Sequence, residues 1–147
     1  MTLSPLDRPC GEILTPCYLA LPRGYEPDLF FDGDRFLAHL EKTFHSFDVA
    51  TYSTSKAYFS GSPLRRIDRL IVGLKESGSV VQAKRIKYVP NNHVKLFLCY
   101  NKKDCLKAVF IGSQNLTYGT NLNLMYRVRK EHSRPLLAYF NSMWNAK

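Results

Sequence analysis

The stretch HVKLFLCYNKKDCLKAVFIGSQNLT, residues 93–117, decides the fold of this 147-residue chain. Most side chains of residues 93–100 are apolar and predict a β-strand, and residues 105–111 predict the strand that returns beside it. Between them Asn101-Lys-Lys-Asp104 is typical of a tight turn. We therefore expect a β-hairpin, with both of its outer ends at the same edge of a sheet.

Four polar side chains lie at the open end of this predicted hairpin. Alternate side chains of a strand share a face, so His93 and Lys95 are expected to point the same way. The return strand then brings Ser113 and Asn115 back beside them. A histidine and a lysine at the start of a buried strand are costly without an anionic partner. Together the four groups can donate hydrogen bonds to the non-bridging oxygens of a phosphodiester.

Upstream of the hairpin, helical and strand patterns alternate. Residues 1–28 hold five of the eight prolines and predict an irregular lead-in. Apolar spacing predicts a helix over roughly 33–46, capped near Asp32, and a strand over 48–54. A second helix is expected from Ser62-Pro63, with an apolar stripe that runs toward Gly78. The stripe consists of Leu64, Ile67, Leu70, Ile71 and Leu74.

A third strand is expected over 79–89, and a turn over 90–92 leads into the hairpin. A terminal helix is expected over 136–144, begun at Ser133 with Pro135 in its first turn. This alternation predicts an α/β fold with a mixed sheet, and the length suits a single domain over 1–147.

The composition, with 45% hydrophobic and 22% charged residues, is that of a globular protein rather than a disordered one. No apolar run approaches the roughly 20 residues that a membrane span needs, and no secretion signal is evident, so a cytoplasmic protein without membrane contact is expected. Neither Cys10 and Cys17 nor Cys99 and Cys105 have the spacing of a zinc knuckle. No metal and no cofactor are expected.

The sequence His93-x-Lys95, followed after the hairpin by Gly112-Ser113-x-Asn115-Leu-Thr117, resembles the H-x-K…G-S-x-N signature of the phospholipase D superfamily. The match covers residues 93–117 directly. Chains with a single copy of this motif are similar to small dimeric nucleases and to the catalytic domains of some restriction endonucleases. The resemblance implies a mixed β-sheet flanked by helices.

The resemblance also implies a role for each matching residue. His93 would attack phosphorus and form a covalent phosphohistidine. Lys95 and Asn115 would hold the phosphate oxygens without a metal ion, and Ser113 would hydrogen-bond within the same cluster.

Two positions depart from the family pattern. Five residues beyond the lysine, where the family often has an aspartate, this chain has Tyr100, and Asp104 lies in the turn instead. Downstream of G-S-x-N, where a glutamate commonly orients the histidine, Asn123 is the nearest candidate for that role. An asparagine oxygen accepts a hydrogen bond but stabilises an imidazolium less than a carboxylate does.

A single H-x-K implies a second chain, because the reaction also needs a group that protonates the leaving oxygen. His39, His45 and His132 are not followed by x-Lys. A two-fold homodimer would bring two copies of His93 together, one as nucleophile and the other as general acid and then base.

The net charge of +9 favours a polyanionic partner, and nucleic acid is the commonest of these. The leading hypothesis is a nuclease for DNA, with RNA as the alternative substrate, that needs a separate specificity or regulatory protein to cut at defined sites. Tyr52, Tyr58 and Phe59 could stack on bases, although core packing suits Tyr52 better. The candidate phosphate-backbone contacts are Arg65, Arg66, Arg69, Lys84, Arg85, Lys87, Lys102 and Lys103.

Two rival functions stay open. The first is a phospholipid hydrolase or transferase of the same fold, which would act on lipid vesicles and leave oligonucleotides intact. The second is a nucleic-acid-binding protein with a decayed site, which would bind but not cleave.

Overall fold

The computed structural model describes residues 28–54, 64–75, 83–116 and 122–147. In this part of the chain two helices and seven strands follow one another as β1, α1, β2, β3, β4, β5, β6, β7 and α2. The elements are β1 (Leu29–Asp32), α1 (Gly33–Thr43), β2 (Ser46–Thr51), β3 (Ile67–Val72), β4 (Ala83–Tyr88), β5 (Leu96–Tyr100), β6 (Leu106–Gly112), β7 (Leu122–Arg127) and α2 (Lys130–Asn145).

Several predicted features lie outside the described residues. They are nearly all of the lead-in over 1–28, the cap at Ser62-Pro63, and the side chains of Tyr58 and Phe59.

The seven strands form one sheet in the order β1-β7-β6-β5-β2-β3-β4. Strands β2, β3 and β4 are parallel to one another, whereas the pairs β2–β5, β5–β6, β6–β7 and β1–β7 are antiparallel. The prediction of an α/β fold with a mixed sheet flanked by helices is confirmed. The predicted hairpin is the β5–β6 pair, with its turn at Asn101 to Asp104.

Both faces of the central strand β5 are buried. Phe97 and Cys99 belong to a cluster that includes α1, whereas Leu96 and Leu98 belong to a second cluster that includes Phe140 of α2. One helix therefore covers each face of the sheet around β5. Polar groups on β5 itself would have no access to solvent, so a binding site has to form beyond the end of this strand.

Helix α1 follows the sequence closely. The carboxylate of Asp32 accepts hydrogen bonds from the backbone N–H groups of Asp34 (2.9 Å) and Arg35 (3.2 Å), as an N-cap residue does. Phe36 and Leu40 are fully buried against the sheet. The helix ends at Thr43 rather than at residue 46, because the backbone becomes extended at Phe44 and β2 begins two residues later.

The predicted second helix is wrong, since residues 67–72 form strand β3. Ile67, Leu70, Ile71 and Val72 are all buried, because β3 lies between two parallel neighbours and is covered on both faces. An apolar run of this kind can match helical spacing by chance. Pairing with β2 and β4 decides the conformation.

Two other predicted boundaries are corrected. Strand β5 begins at Leu96, so His93 and Lys95 precede the strand instead of forming its first residues. Helix α2 begins at Lys130, earlier than predicted, and Pro135 lies inside it rather than in its first turn. Proline has no N–H to donate, so α2 lacks one backbone hydrogen bond at that position.

A buried ionic cluster joins α2 to the sheet. Asp48 on β2 accepts hydrogen bonds from the guanidinium of Arg69 and from the hydroxyl of Tyr100, both at 2.8 Å. Arg69 also donates to Asn141 of α2 at 2.8 Å, and its guanidinium lies 4.8 Å from the ring centroid of Phe140. Burial, together with the charge of Asp48, raises the pKa of Tyr100 well above its ordinary value, so the phenol stays a hydrogen-bond donor.

We predict that Asp48→Ala destabilises the fold by about 3–5 kcal/mol, because it leaves the Arg69 charge half-buried and unpaired. The matched control is Asp68→Ala, which breaks an ion pair with a Lys84 side chain that is 76% exposed. The ion pair between Asp68 and Lys84 should contribute less than about 1 kcal/mol to the free energy of unfolding. Urea unfolding measures both changes, and equal losses in the two variants would contradict the prediction.

Candidate functional site

The candidate site lies at one end of the sheet. The carboxyl ends of the parallel strands β2 and β3, the start of β5 and the end of β6 all meet there, since Ala50 pairs with Leu96 and Leu96 pairs with Ile111. Strand β2 is the point where the pairing changes from parallel to antiparallel. Ligands of open α/β sheets commonly bind at such a point, beyond the carboxyl ends of the strands.

Asn115 is held in one orientation by the end of β2. Its Oδ1 accepts hydrogen bonds from the backbone N–H groups of Tyr52 (3.1 Å) and Ser53 (3.5 Å). Backbone N–H groups can only donate, so the side-chain atom that faces them has to be the oxygen. The NH₂ group of Asn115 is thereby turned away from β2, where it can donate to a ligand.

Thr51, the last residue of β2, also contacts the Asn115 oxygen. Its buried hydroxyl lies 3.0 Å from Asn115 Oδ1 and 2.9 Å from the carbonyl oxygen of Ser53, and it donates its single proton to one of them at a time. The same oxygen accepts from the backbone N–H of Leu116 at 3.2 Å. Nothing in the sequence pattern marks Thr51 for this role, because threonine is common in strands whatever its partners.

Ser113 is hydrogen-bonded to β7. The backbone N–H of Leu124 donates to the Ser113 hydroxyl at 2.9 Å, and the backbone N–H of Ser113 donates to the carbonyl oxygen of Leu124 at 2.9 Å. Gly112 permits this approach, because a Cβ there would lie 1.9 Å from the same carbonyl oxygen. Gly112 and Ser113 therefore hold the end of β6 against β7.

His93 is stacked on Tyr52. The two ring centroids are 4.4 Å apart and the planes differ by 13°. Lys95 lies on the same tyrosine, with its Nζ 6.0 Å from the ring centroid. His93 is exposed and Lys95 half-buried, so both can reach a ligand from solvent. Neither of the two roles considered for Tyr52, base stacking and core packing, includes this contact with His93.

The segment before β5 is anchored by a buried asparagine. Asn92 donates from Nδ2 to the carbonyl oxygen of Thr51 at 3.2 Å and accepts at Oδ1 from the backbone N–H of Val94 at 3.2 Å. This pair of bonds fixes the backbone on both sides of His93 to the end of β2. The sequence pattern identified Asn92 only as part of a turn.

Three of the four predicted site residues thus lie against Tyr52. Tyr52 contacts His93 and Lys95 through its ring and Asn115 through its backbone N–H, while Ser113 lies two residues from Asn115. An imidazole, an ammonium and a carboxamide NH₂ are groups that together can bind an anion and present a nucleophile to it. Asn123 lies in β7, but its side chain is outside the described part of the structure.

The predicted basic residues do not gather around His93. Arg65 and Arg66 precede β3, and Lys102 and Lys103 lie in the turn after β5, so all four are at the opposite end of the sheet. The six residues of β2 separate the two ends by roughly 16 Å at 3.3 Å per residue. Arg66 also forms an ion pair with Glu41 at 2.9 Å.

The remaining basic residues lie on β3 and β4, and each has a partner. Arg69 belongs to the buried cluster around Asp48, and Lys84 pairs with Asp68 at 3.1 Å. The guanidinium of Arg85 lies 5.7 Å from the ring centroid of Trp144, and Lys87 donates to the carbonyl oxygen of Trp144 at 2.6 Å and also to that of Ala146. Arg85 and Lys87 therefore hold the carboxyl end of α2, where cations are favoured.

The chain is similar in structure to a solved protein. No protein-family model and no curated protein sequence matches the chain. Among solved structures, NucT from Helicobacter pylori superposes with a TM-score of 0.50 at 16% sequence identity, over 76% of this chain and 86% of NucT. The chain has the fold of NucT. At this identity the likeness with NucT concerns the arrangement of helices and strands alone.

Two further features of the described residues bear on the site. Neither α1 nor α2 is long and apolar enough to cross a membrane. Within the described ranges, no three histidine, cysteine, aspartate or glutamate side chains come together as metal ligands. Of the two described cysteines, Cys105 is exposed and Cys99 is buried, and burial raises the pKa of the Cys99 thiol.

We predict that Thr51→Val loosens the loop after β6, because valine keeps the shape of threonine but leaves the backbone N–H of Leu116 without an acceptor. The free energy needed to open the loop at Leu116 should fall by about 1–3 kcal/mol, because a buried donor is left unsatisfied. Amide hydrogen exchange measures it directly, and the Leu116 amide should exchange faster in Thr51→Val while staying protected in Thr51→Ser. Unchanged protection of Leu116 in Thr51→Val would show that the hydroxyl does not hold the loop.

Proposed function

We propose that this protein is a phosphodiesterase, namely a nuclease that hydrolyses DNA, with RNA as the alternative substrate. NucT, whose fold the chain shares, is a nuclease of the phospholipase D superfamily. The resemblance of residues 93–117 to that superfamily's motif supports the same activity here.

One observation carries the proposal. The Asn115 oxygen accepts hydrogen bonds from the backbone of Tyr52 and Ser53 at the end of β2, and the ring of the same Tyr52 contacts the exposed imidazole of His93 and lies 6.0 Å from the ammonium of Lys95. A structural asparagine would satisfy both its donors and its acceptor within the fold. Here the oxygen accepts from the protein, and no hydrogen bond from the NH₂ group to another described residue is seen, so in our proposal this group donates to a phosphate oxygen.

The chemistry proceeds in two displacements. In the first, a ring nitrogen of His93 attacks phosphorus, a P–N bond forms, and the P–O bond to the leaving strand breaks. Lys95 and Asn115 hold the non-bridging oxygens, where negative charge develops. In the second, water attacks phosphorus and the P–N bond breaks, which releases the phosphorylated strand and the free imidazole.

Each displacement needs a proton transfer that the same His93 cannot perform. In our proposal the leaving oxygen takes its proton from His93 of the partner subunit, which then removes a proton from the attacking water. A two-fold axis near the site would place the two imidazoles on opposite sides of one phosphodiester. The active species is therefore a homodimer with a composite site.

The substrate contacts favour the sugar-phosphate backbone. The groups at the site are donors for phosphate oxygens, and such contacts position a nucleic acid without reading its sequence. The net charge of +9 attracts polyanions over a longer range. We therefore propose cleavage with little sequence preference, and a separate specificity or regulatory protein where cleavage at defined sites is needed.

The first test is cleavage of end-labelled single-stranded DNA, duplex DNA and RNA in excess EDTA. Wild-type protein should cleave at least one of them, since Lys95 and Asn115 supply the charge stabilisation in the proposed mechanism. His93→Ala should lose at least about 10³-fold in rate, as expected when a covalent nucleophile is removed. The matched control is His132→Ala, a substitution of an exposed histidine on α2 that should leave the rate unchanged.

Other results would point to the rival functions. Hydrolysis of phospholipid vesicles with intact oligonucleotides would indicate a lipase of the same fold. Binding of nucleic acid that survives His93→Ala, with no cleavage by the wild type, would indicate a decayed site. Cleavage that EDTA abolishes would contradict the proposed mechanism.

The composite site is tested by mixing subunits. Light scattering should give twice the mass of the chain, and unfolding and refolding wild type together with excess His93→Ala should produce mixed dimers. If both imidazoles are needed, the activity falls with the square of the wild-type fraction. Independent sites give a linear fall, and an active monomer would overturn the dimeric mechanism.

A further inference from the structure

The proposed mechanism does not use the contact between Tyr52 and His93. Their rings are 4.4 Å apart and within 13° of parallel, the offset-stacked arrangement that aromatic rings favour. Among the described residues, no hydrogen bond reaches the ring nitrogens of His93. The stack covers one face of the imidazole and leaves the edge that carries both nitrogens open.

We infer that Tyr52 is the positioning residue for His93, which fixes the plane of the imidazole so that its nitrogen edge faces the phosphorus atom. This inference rests on the proposed function and concerns the same site. An exposed histidine otherwise rotates about two side-chain bonds, and only part of its orientations allow in-line attack. A flat aromatic surface restricts that rotation without occupying either nitrogen.

Tyr52 is itself held firmly enough to do this. Its backbone N–H donates to Asn115, and its carbonyl oxygen accepts from the backbone N–H groups of Gly73 (3.1 Å) and Leu74 (3.0 Å). Both bonds to the carbonyl come from the residues that follow β3. The backbone of Tyr52 is thus fastened on one side to the loop after β6 and on the other to the loop after β3.

Gly73 makes room for the tyrosine ring. A Cβ at this position would lie 2.9 Å from the Cδ2 atom of Tyr52 and 2.2 Å from the carbonyl oxygen of Asn92. A larger residue would therefore push against both sides of the stack, since Asn92 is adjacent to His93 in the chain. The close packing of these backbones fixes the distance between the two rings.

The same residue links the nucleophile to the phosphate ligands. The ring of Tyr52 contacts His93 and lies 6.0 Å from Lys95 Nζ, while its N–H orients the carboxamide of Asn115. Displacement of the ring would disturb His93 without breaking the backbone bond to Asn115. A substitution of the side chain therefore removes the stacking on His93 and the weaker contact with Lys95, and keeps the bond that orients Asn115.

The experiment compares Tyr52→Leu with Tyr52→Phe, which keeps the ring and removes only the hydroxyl. Hydrolysis of bis(4-nitrophenyl) phosphate and of a labelled single-stranded oligonucleotide gives kcat and KM, and NMR gives the chemical shifts of the His93 ring protons. Tyr139→Leu, on an exposed tyrosine of α2, is the matched control for loss of an aromatic ring. Circular dichroism and urea unfolding establish that each variant folds.

We expect Tyr52→Leu to lower kcat by about three- to tenfold, the range that a lost aromatic stacking contact corresponds to, with little change in KM. Tyr52→Phe should keep most of the wild-type kcat, and Tyr139→Leu should match the wild type. The His93 protons should be shifted upfield by the ring current in the wild type and in Tyr52→Phe, and should lose that shift in Tyr52→Leu.

Failure of the inference is distinguishable from failure of the proposed function. An active wild type together with an equally active Tyr52→Leu, or with equal losses in the leucine and phenylalanine variants, overturns the positioning role. The absence of an upfield shift in the wild type overturns it as well. A wild type that cleaves neither substrate while showing the shift overturns the proposed function and supports the orienting contact.

Discussion

The structure of the site depends on the hydrogen bonds between the Asn115 oxygen and the backbone at the end of β2. In the sheet, β5 lies between β2 and β6, so the loop after β6 has to pass over the start of β5 to make these bonds. An isolated bridge between Thr54 and Leu116 continues the same contact. The segment that carries His93 and Lys95 enters β5 at this same end of the sheet. It therefore lies between the end of β2 and the end of β6.

Strand β2 serves two parts of the molecule that lie at opposite ends of it. Near its start, Asp48 binds Arg69 and Tyr100 and so fastens β3, β5 and α2 together. At its end, Thr51 supports Asn115. The buried ionic cluster is costly to desolvate and depends on every one of its hydrogen bonds. The cluster lies on the α2 side, away from the site, and among the described residues no ion pair joins Lys95 or His93 to an acidic side chain.

The sequence predicted well what local patterns determine. The hairpin of β5 and β6, its turn at residues 101–104 and the cap of α1 at Asp32 follow from turn chemistry, capping and apolar spacing. It also predicted that the start of β5 and the end of β6 would lie at the same edge of the sheet, and Leu96 indeed pairs with Ile111 there. These features involve residues close together in the chain.

The features that the sequence did not predict depend on distant partners. Residues 67–72 have helical spacing, yet pairing with β2 and β4 makes them a strand. In the sequence Arg69 has the pattern of a surface cation, and only the folded structure shows that Asp48 and Asn141 are its partners. Thr51 and Tyr52 acquire their roles from side chains more than 40 residues away in sequence. No local pattern carries that information.

The crossing of the β6 loop over β5 also has a consequence for the order of folding. The β5–β6 hairpin closes within one short segment, whereas the bond from Thr51 to Asn115 joins residues 64 positions apart and closes a long loop. Contacts of large sequence separation form late, since their entropic cost is met only after the intervening chain is ordered. A nascent or partly unfolded chain can therefore have its hairpin in place with the carboxamide of Asn115 still unaligned. Under the proposed function, such a chain would not cut a polynucleotide, because one of its phosphate ligands is not yet in place.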